Sequence, residues 1–289
     1  MTSPHITIRA FQWSDVALLA TLQHAEESDV GRWLKQSNLA PEQECVFAEE
    51  GGKATGFGYL IVEQGLSRGV LIAEAEGAAA LGALLTNAAS KAREFGLSVL
   101  QLDVPESDLQ RREICGAAGM SVIRTHLHLL RPGDEPTGVA LPLGTTIRLA
   151  TRADVGTITV IQNTAFTESW GYAPNSEGEV SYRIFELPTN APDPVLIVSI
   201  DGQDLGYCWA HQERADSPGI VGMVGVLPDQ QGKGLGKLAT AAGIDHLISI
   251  GAAPVEITVD AENAPAVHVY ESVGFTLDWR SLWYEMALD

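Results

Sequence analysis

Three glycines at alternate positions, Gly232, Gly234 and Gly236, separate a β-type run that stops at Pro228 from a helix-forming stretch, Leu238-Ala239-Thr240-Ala241-Ala242. Glycine lets a backbone turn sharply and come close to a ligand. The first turn of a helix leaves its N–H groups unpaired and adds positive potential there. Gln231 to Lys237 therefore has the chemistry of a pyrophosphate cradle that needs no side-chain cation, so Lys233 and Lys237 count chiefly through their backbone amides. Other phosphate motifs fit less well. A Walker A loop needs Ser or Thr after Gly-Lys, but Leu238 follows Gly236-Lys237, and Gln231 stands where its first Gly belongs. A dinucleotide fingerprint is GxGxxG, whereas this is GxGxG and lies late in its half of the chain.

One strand further on, Asn263-Ala264-Pro265-Ala266-Val267-His268-Val269-Tyr270-Glu271-Ser272-Val273-Gly274-Phe275 offers a phenol at Tyr270. A tyrosine hydroxyl is protonated at neutral pH and so can act as a proton donor. Asn263 also suits a helix cap.

The two segments together resemble the GCN5-related N-acetyltransferase (GNAT) family. Gln231, Gly234 and Gly236 fill its Q/R-x-x-G-x-G/A pattern, Val224, Val226 and Pro228 match the V-x-V-x-P portion before it, and the Tyr270 segment matches N-x-x-A-x-x-x-Y-x-x-x-G-F. The resemblance implies acetyl-CoA as cosubstrate, with no metal. The strand Val224-Gly225-Val226 would splay from its neighbour and pair with the pantetheine arm. Main-chain N–H groups of Gln231, Gly232, Lys233, Gly234, Leu235, Gly236 and Lys237 would hold the pyrophosphate, and Asn263 would contact the coenzyme arm. Tyr270 would protonate the leaving thiolate, and the Val226 N–H would polarise the carbonyl. The implied function is an N-acyltransferase moving an acetyl group to a primary amine of a small molecule. An amine attacks only when neutral, so a base is needed; His211, Glu213, Glu256 and a water chain are the candidates. In the family the segment between the first two helices faces the acceptor. Here that segment holds Glu168, Trp170 and Tyr172, aromatics beside an acid that suit a cationic or sugar-like ligand; for Trp170 the alternative is plain packing.

The elements that must position these groups repeat once along the chain. Thr7-Ile8-Arg9 followed by Asp15-Val16 matches Thr146-Ile147-Arg148 followed by Asp154-Val155 at identical spacing, and Asp15 and Asp154 suit helix caps. Cys115 to Met120 parallels Tyr270 to Phe275. Pro132-Gly133-Asp134-Glu135-Pro136-Thr137-Gly138 reads as a linker. The expected organisation is a first domain over 1–132, a linker over 133–144 and a second domain over 145–289. In the second, strands are expected at 145–150, 195–200, 205–211, 220–226, 255–259 and 275–287, with helices at 153–165, 234–250 and 264–272. The fold class is α+β: two tandem GNAT-like domains, each a mixed, mostly antiparallel sheet flanked by helices.

The first half shows the layout without the chemistry. Its counterpart of the glycine loop, near Glu74 to Ala80, has one glycine and two glutamates that would repel a pyrophosphate, and Cys115 stands where Tyr270 stands. The tandem layout with an active second half is similar to the mycothiol synthase branch of the family, which acetylates the cysteinyl amine of a sugar-linked thiol. That branch carries an acidic residue at the start of the strand before the glycine loop; the matching position here is Ile220, beside Val221 and Gly222. An acetyltransferase of that type or an antibiotic-modifying one is therefore the alternative to an unassigned amine acceptor. A non-catalytic acyl-CoA-binding sensor or scaffold is the alternative from another class, and Tyr270 argues against it because a binder needs no proton donor.

Composition bounds the rest. The 289 residues suit two domains, and 45% hydrophobic content is enough for packed cores. A formal net charge of −19 disfavours nucleic acid, including a tRNA-borne donor, and anionic membrane surfaces as partners. Cys45, Cys115 and Cys208 are odd in number and widely spaced, which reads as buried small hydrophobes. Residues 1–10 read as a strand rather than a signal peptide, and no apolar run is long enough to span a bilayer, so the expected location is the cytoplasm.

Overall fold

The computed structural model describes residues 5–23, 25–35, 40–187, 193–214 and 216–288; Met1 to Pro4, at the start of the expected first strand, lie outside them. In chain order the elements are β1 (Ile6–Ala10), α1 (Val16–Leu22), α2 (Glu27–Trp33), α3 (Pro41–Glu44), β2 (Cys45–Glu50), β3 (Lys53–Glu63), β4 (Arg68–Ala75), α4 (Ala78–Glu94), β5 (Val99–Pro105), α5 (Leu109–Ala117) and β6 (Ser121–Arg131). The same succession then returns as β7 (Thr145–Leu149), α6 (Val155–Ala165), α7 (Glu177–Phe185), β8 (Val195–Ile200), β9 (Gln203–Gln212), β10 (Gly219–Val226), α8 (Leu235–Ser249), β11 (Val255–Asp260), α9 (Ala264–Glu271) and β12 (Thr276–Ala287).

The chain folds into two compact units, and they do not coincide with its halves. One unit holds residues 1–125 with 280–289, the other 126–279. In the first, β1 to β5 pair in sequence order and the end of β12 completes the sheet antiparallel to β5, from Ser281↔Pro105 to Ala287↔Val99. In the second, β7 to β11 pair in sequence order and the end of β6 completes the sheet antiparallel to β11, from Arg131↔Val255 to His126↔Asp260. Each sheet thus receives its last strand from the other half of the chain. A division at 132/145 assigns all of β12 to the second half, yet Ser281–Ala287 pair with β5. The reason is that alternation in β12, with Leu282 and Tyr284 buried, fixes which face of the strand meets a core but not which of two similar sheets it joins. Both units are α+β, antiparallel throughout except at β4–β5 and β10–β11.

The sequence repeat has a common physical role. Arg9 binds Asp15 at 2.7 Å and Arg148 binds Asp154 at 2.8 Å. Each aspartate stands at the N-cap position of the helix that follows, as expected, but its carboxylate makes no capping bond to that helix and instead accepts from the N–H three residues earlier, on Gln12 and Thr151, both at 2.7 Å. The hydrogen bond from Arg148 chiefly holds the Asp154 carboxyl down, to about 2.

In the first unit α4 lays Leu81, Leu84, Leu85 and Ala88 on Leu100, Leu102 and Val104. β4 and β5 pair only from Arg68↔Val99 to Val70↔Gln101. Beyond that rung the Arg111 guanidinium of α5 donates to the Ala73 carbonyl at 3.0 Å, occupying the edge of the splayed strand. The connection from β4 to α4 is only Glu76 and Gly77, whereas residues 227–234 join β10 to α8. The glutamate-bearing segment near 74–80 is therefore strand end and helix start, with no loop to wrap an anion. Cys45, Cys115 and Cys208 are all free and buried.

Candidate active site

The second unit places its glycine loop beside an opened sheet. β10 pairs with β9 from Gly219↔Gln212 to Val226↔Gly206, with a bulge between Val221 and Met223. With β11 it shares only Gly219↔Val255 and Ile220↔Glu256. From the bulge onward the β11 side of β10 is open among the described residues. The Leu227 N–H bonds the Leu205 carbonyl on β9 at 3.0 Å, and backbone groups alternate sides along a strand. The polar groups of Val226 and Val224 therefore point into the opening. Gly225 lies between them because the Tyr207 ring leaves no room: a Cβ there would come within 2.5 Å of Tyr207 Cε1.

At the end of β10 the chain turns through Pro228–Gln230, and Gln231 Nε2 donates to the Val226 carbonyl at 3.2 Å, tying the loop to the strand. Gly232 (φ 73°) and Gly234 (φ 85°) both adopt left-handed backbone, and a Cβ on either would meet nothing within 4 Å. Gly234 caps α8 without any side-chain bond. The main-chain N–H groups of Gly232, Lys233, Gly234, Leu235, Gly236 and Lys237 find no acceptor among the described residues; the first that does is Leu238, bonded to the Gly234 carbonyl at 3.1 Å. Six successive donors without an acceptor among the described residues, at a helix N-terminus, have the pattern of an anion nest. The Lys233 ammonium bonds Gln230 Oε1 at 3.1 Å on the surface, in keeping with a backbone rather than a side-chain role.

Tyr270 projects from α9 into the core of this unit, 9% exposed, with its ring edge-on to Phe275 at 6.2 Å. Burial, and then the nearby Cys208, push its phenol well above the ordinary tyrosine range, so it is a proton donor at any physiological pH. Asn263 caps α9, its Oδ1 accepting from the Ala266 N–H at 3.2 Å. The far end of α9 is held by Arg131, which donates to the Val273 carbonyl at 3.0 Å and to the Glu135 carbonyl at 2.6 Å. Arg131 is on β6, so a residue from the first half of the sequence anchors the helix that bears Tyr270.

The expected acceptor loop divides by role. The Tyr172 hydroxyl donates to Asn163 Oδ1 at 2.6 Å and accepts from Asn175 Nδ2 at 3.2 Å, knitting the α6–α7 connection. Glu168 is exposed. Trp170 lies edge-on to His126 of β6, centroids 6.3 Å apart. On the same strand His128 stacks on Trp279 at 3.4 Å with 6° between planes, and its Nδ1 lies 3.1 Å from Thr258 Oγ1. His126 and His128 precede the linker, so nothing in the sequence placed them in the second unit with Trp279 of β12; the His-x-His spacing was the available signal, since it places both rings on one strand face.

Residues 157–275 match the model of the acetyltransferase (GNAT) family. This part of the chain belongs to the GNAT family. A mycothiol acetyltransferase of Kocuria rhizophila is 35% identical over 182 residues, covering 57% of this chain and 58% of that protein. One of Streptomyces griseus is 32% identical over 177 residues, covering 60% and 57%. The chain thus spans under two thirds of the length of these relatives. Among solved structures, a tandem GNAT protein from the clavulanic acid biosynthesis pathway has a TM-score of 0.79 at 16% identity, covering 99% of both chains. A GNAT protein of Sphaerobacter thermophilus has 0.74 at 18%, covering 98% and 96%. These two show the fold. No helix among the described residues is long and apolar enough to cross a membrane.

Proposed function

We propose that the second unit is an acetyl-CoA-dependent N-acetyltransferase acting on a primary amine of a small molecule. The observation that supports this best is the run of six main-chain N–H groups, Gly232 to Lys237, without an acceptor among the described residues, at the end of a strand that leaves β11 after Ile220. An extended, amide-bearing ligand with a diphosphate end matches both features. Val224 and Val226 would pair with its amides and the loop would hold its phosphates. Tyr270 would return a proton to the departing thiolate, and the Val226 N–H would stabilise the developing oxyanion. Asn263, already a cap, would use its remaining amide donors on the coenzyme arm.

A second reading is an acceptor of the mycothiol type. The names of the relatives favour it, and Ile220 at the position where that branch carries an acid weighs against it. The test is thiol release from acetyl-CoA with glucosamine, spermidine and S-methylcysteine amide as probe amines, with Tyr270→Phe as the chemical control. Amine-dependent release that falls at least about a hundredfold in the control, while coenzyme binding persists, supports the reading. Release indifferent to every amine and to the substitution refutes it in favour of a coenzyme-binding module.

A further inference from the structure

The last paired rung of β9, β10 and β11 sets three residues abreast: His211, Ile220 and Glu256. Residues directly opposite on neighbouring strands share a sheet face. Ile220 has no titratable group, so a proton acceptor at this rung has to come from its flanks. Past the rung, β10 and β11 separate and the coenzyme opening begins.

The His211 ring lies over β10 at Gly222. A Cβ on Gly222 would meet His211 Cε1 at 3.1 Å and Nδ1 at 3.2 Å, so the imidazole covers a bare stretch of backbone. Gly222 sits in the bulge of β10, two residues before Val224, whose polar groups face the gap. Charged groups sit on the neighbouring elements, and Asp193 is the one that interacts with His211. Asp193, ahead of β8, accepts from Trp209 Nε1 at 3.0 Å, and Arg183 of α7 lies over the Trp209 ring at 5.1 Å. Burial raises the Asp193 carboxyl, while the Trp209 bond, His211 and Arg183 each draw it back toward the charged form. Glu256 flanks the rung from β11, and Glu213 follows on the connection after β9.

We infer that His211 is the general base that deprotonates the acceptor amine at the open edge of β10. An imidazole changes charge near neutral pH, which suits it to take a proton from an ammonium group and release it to water. The exposed Glu256 carboxylate is a weaker acceptor by type. The inference rests on the acetyltransferase reading above. In the step, the ammonium gives one proton to the imidazole, and the freed amine forms the C–N bond at the thioester carbon. The C–S bond then breaks and the thiolate takes the Tyr270 proton. The second nitrogen proton leaves through solvent as the amide forms and restores that phenol. The imidazolium proton passes to bulk water.

The test combines three readouts on wild type, His211→Gln, Gly222→Ala and Glu256→Gln, each checked by thermal unfolding. Calorimetry follows acetyl-CoA binding. The imidazole resonance lost in His211→Gln is followed in wild type as acetyl-CoA is added. The pH dependence of kcat/KM is followed with the best of the probe amines. The expectation is unchanged coenzyme affinity in all variants and a His211 resonance that moves at saturation. The rate in His211→Gln falls about 10²- to 10⁴-fold, with loss of the acidic limb. Gly222→Ala, which keeps the imidazole but displaces it, loses less. A resonance unmoved by bound acetyl-CoA overturns the assignment whatever the acceptor. So does an acidic limb that survives in His211→Gln and disappears in Glu256→Gln. Absence of coenzyme binding in wild type is a distinct result, and it removes the acetyltransferase reading as well.

Discussion

Gly236→Glu should stabilise the protein and weaken coenzyme binding at once, and this opposition of signs makes it diagnostic. Gly236 is in the first turn of α8 with ordinary helical backbone, and a Cβ there would meet only Val269 Cγ2, at 4.0 Å. Gly234 is a poorer choice, since its φ of 85° would strain any side chain. Replacing a helical glycine gains about 0.5–1 kcal/mol. A carboxylate in the first turn adds about 0.3–1 kcal/mol through the helix dipole. Together these raise the melting temperature by about 2–4 °C. The same carboxylate would be carried by a residue whose own N–H is one of the nest donors. Two unit charges about 6 Å apart repel by about 0.7 kcal/mol in water and about 3 kcal/mol at an effective dielectric of 20. Against two phosphate charges that is about 1.5–5 kcal/mol, or at least a tenfold rise in Kd. Gly236→Gln gives the steric control, and raising the salt concentration should narrow the gap between the two variants. Calorimetry with acetyl-CoA and differential scanning fluorimetry measure both effects. A higher melting temperature with an unchanged Kd would refute the placement of the pyrophosphate.

Other outcomes follow from the same geometry. Tyr270→Phe keeps the packing against Phe275, so unfolding should shift by less than about 1 kcal/mol while turnover falls; a loss of acetyl-CoA affinity instead would make Tyr270 a binding group. Gly225→Ala should cost about 1–3 kcal/mol, since its Cβ would sit 2.5 Å from Tyr207 Cε1; an unchanged urea midpoint would show that the ring is free to move. Burial raises the thiols of Cys45 and Cys208 to about 12 and that of Cys115 to about 11. A folded pKa above the unfolded value favours folding fully below the unfolded value, and this contribution is lost as pH rises toward the folded one. Stability should therefore decline from about pH 9 upward, by up to about 1.4 kcal/mol per pH unit for each thiol. Urea melts at pH 8 and 10.5 measure it, and Cys208→Ala should flatten the decline.

Much of this was legible in the residues. Alternating glycines between a strand and a helix announce a nest wherever they occur, because φ above zero and free first-turn amides are local properties. Helix α9 could be read from Asn263 and the apolar spacing through Tyr270 for the same reason. What is not local was hidden. The strand exchange depends on which sheet edge accepts β6 and β12, and neither strand encodes that in its alternation. The contact of His126 with Trp170 and the grip of Arg131 on α9 follow from that exchange, so they could not be seen without it. The partners of Tyr172 were hidden for a similar reason: Asn163 and Asn175, unremarkable in the sequence, converge on its hydroxyl only once α6 and the following turn are in place.

The most direct test of the central claim is calorimetric titration of acetyl-CoA into the intact chain. The account predicts one site per chain, because the second unit has the nest and the splayed edge while the first has a two-residue connection and Arg111 on its strand edge. No binding at millimolar ligand would contradict it.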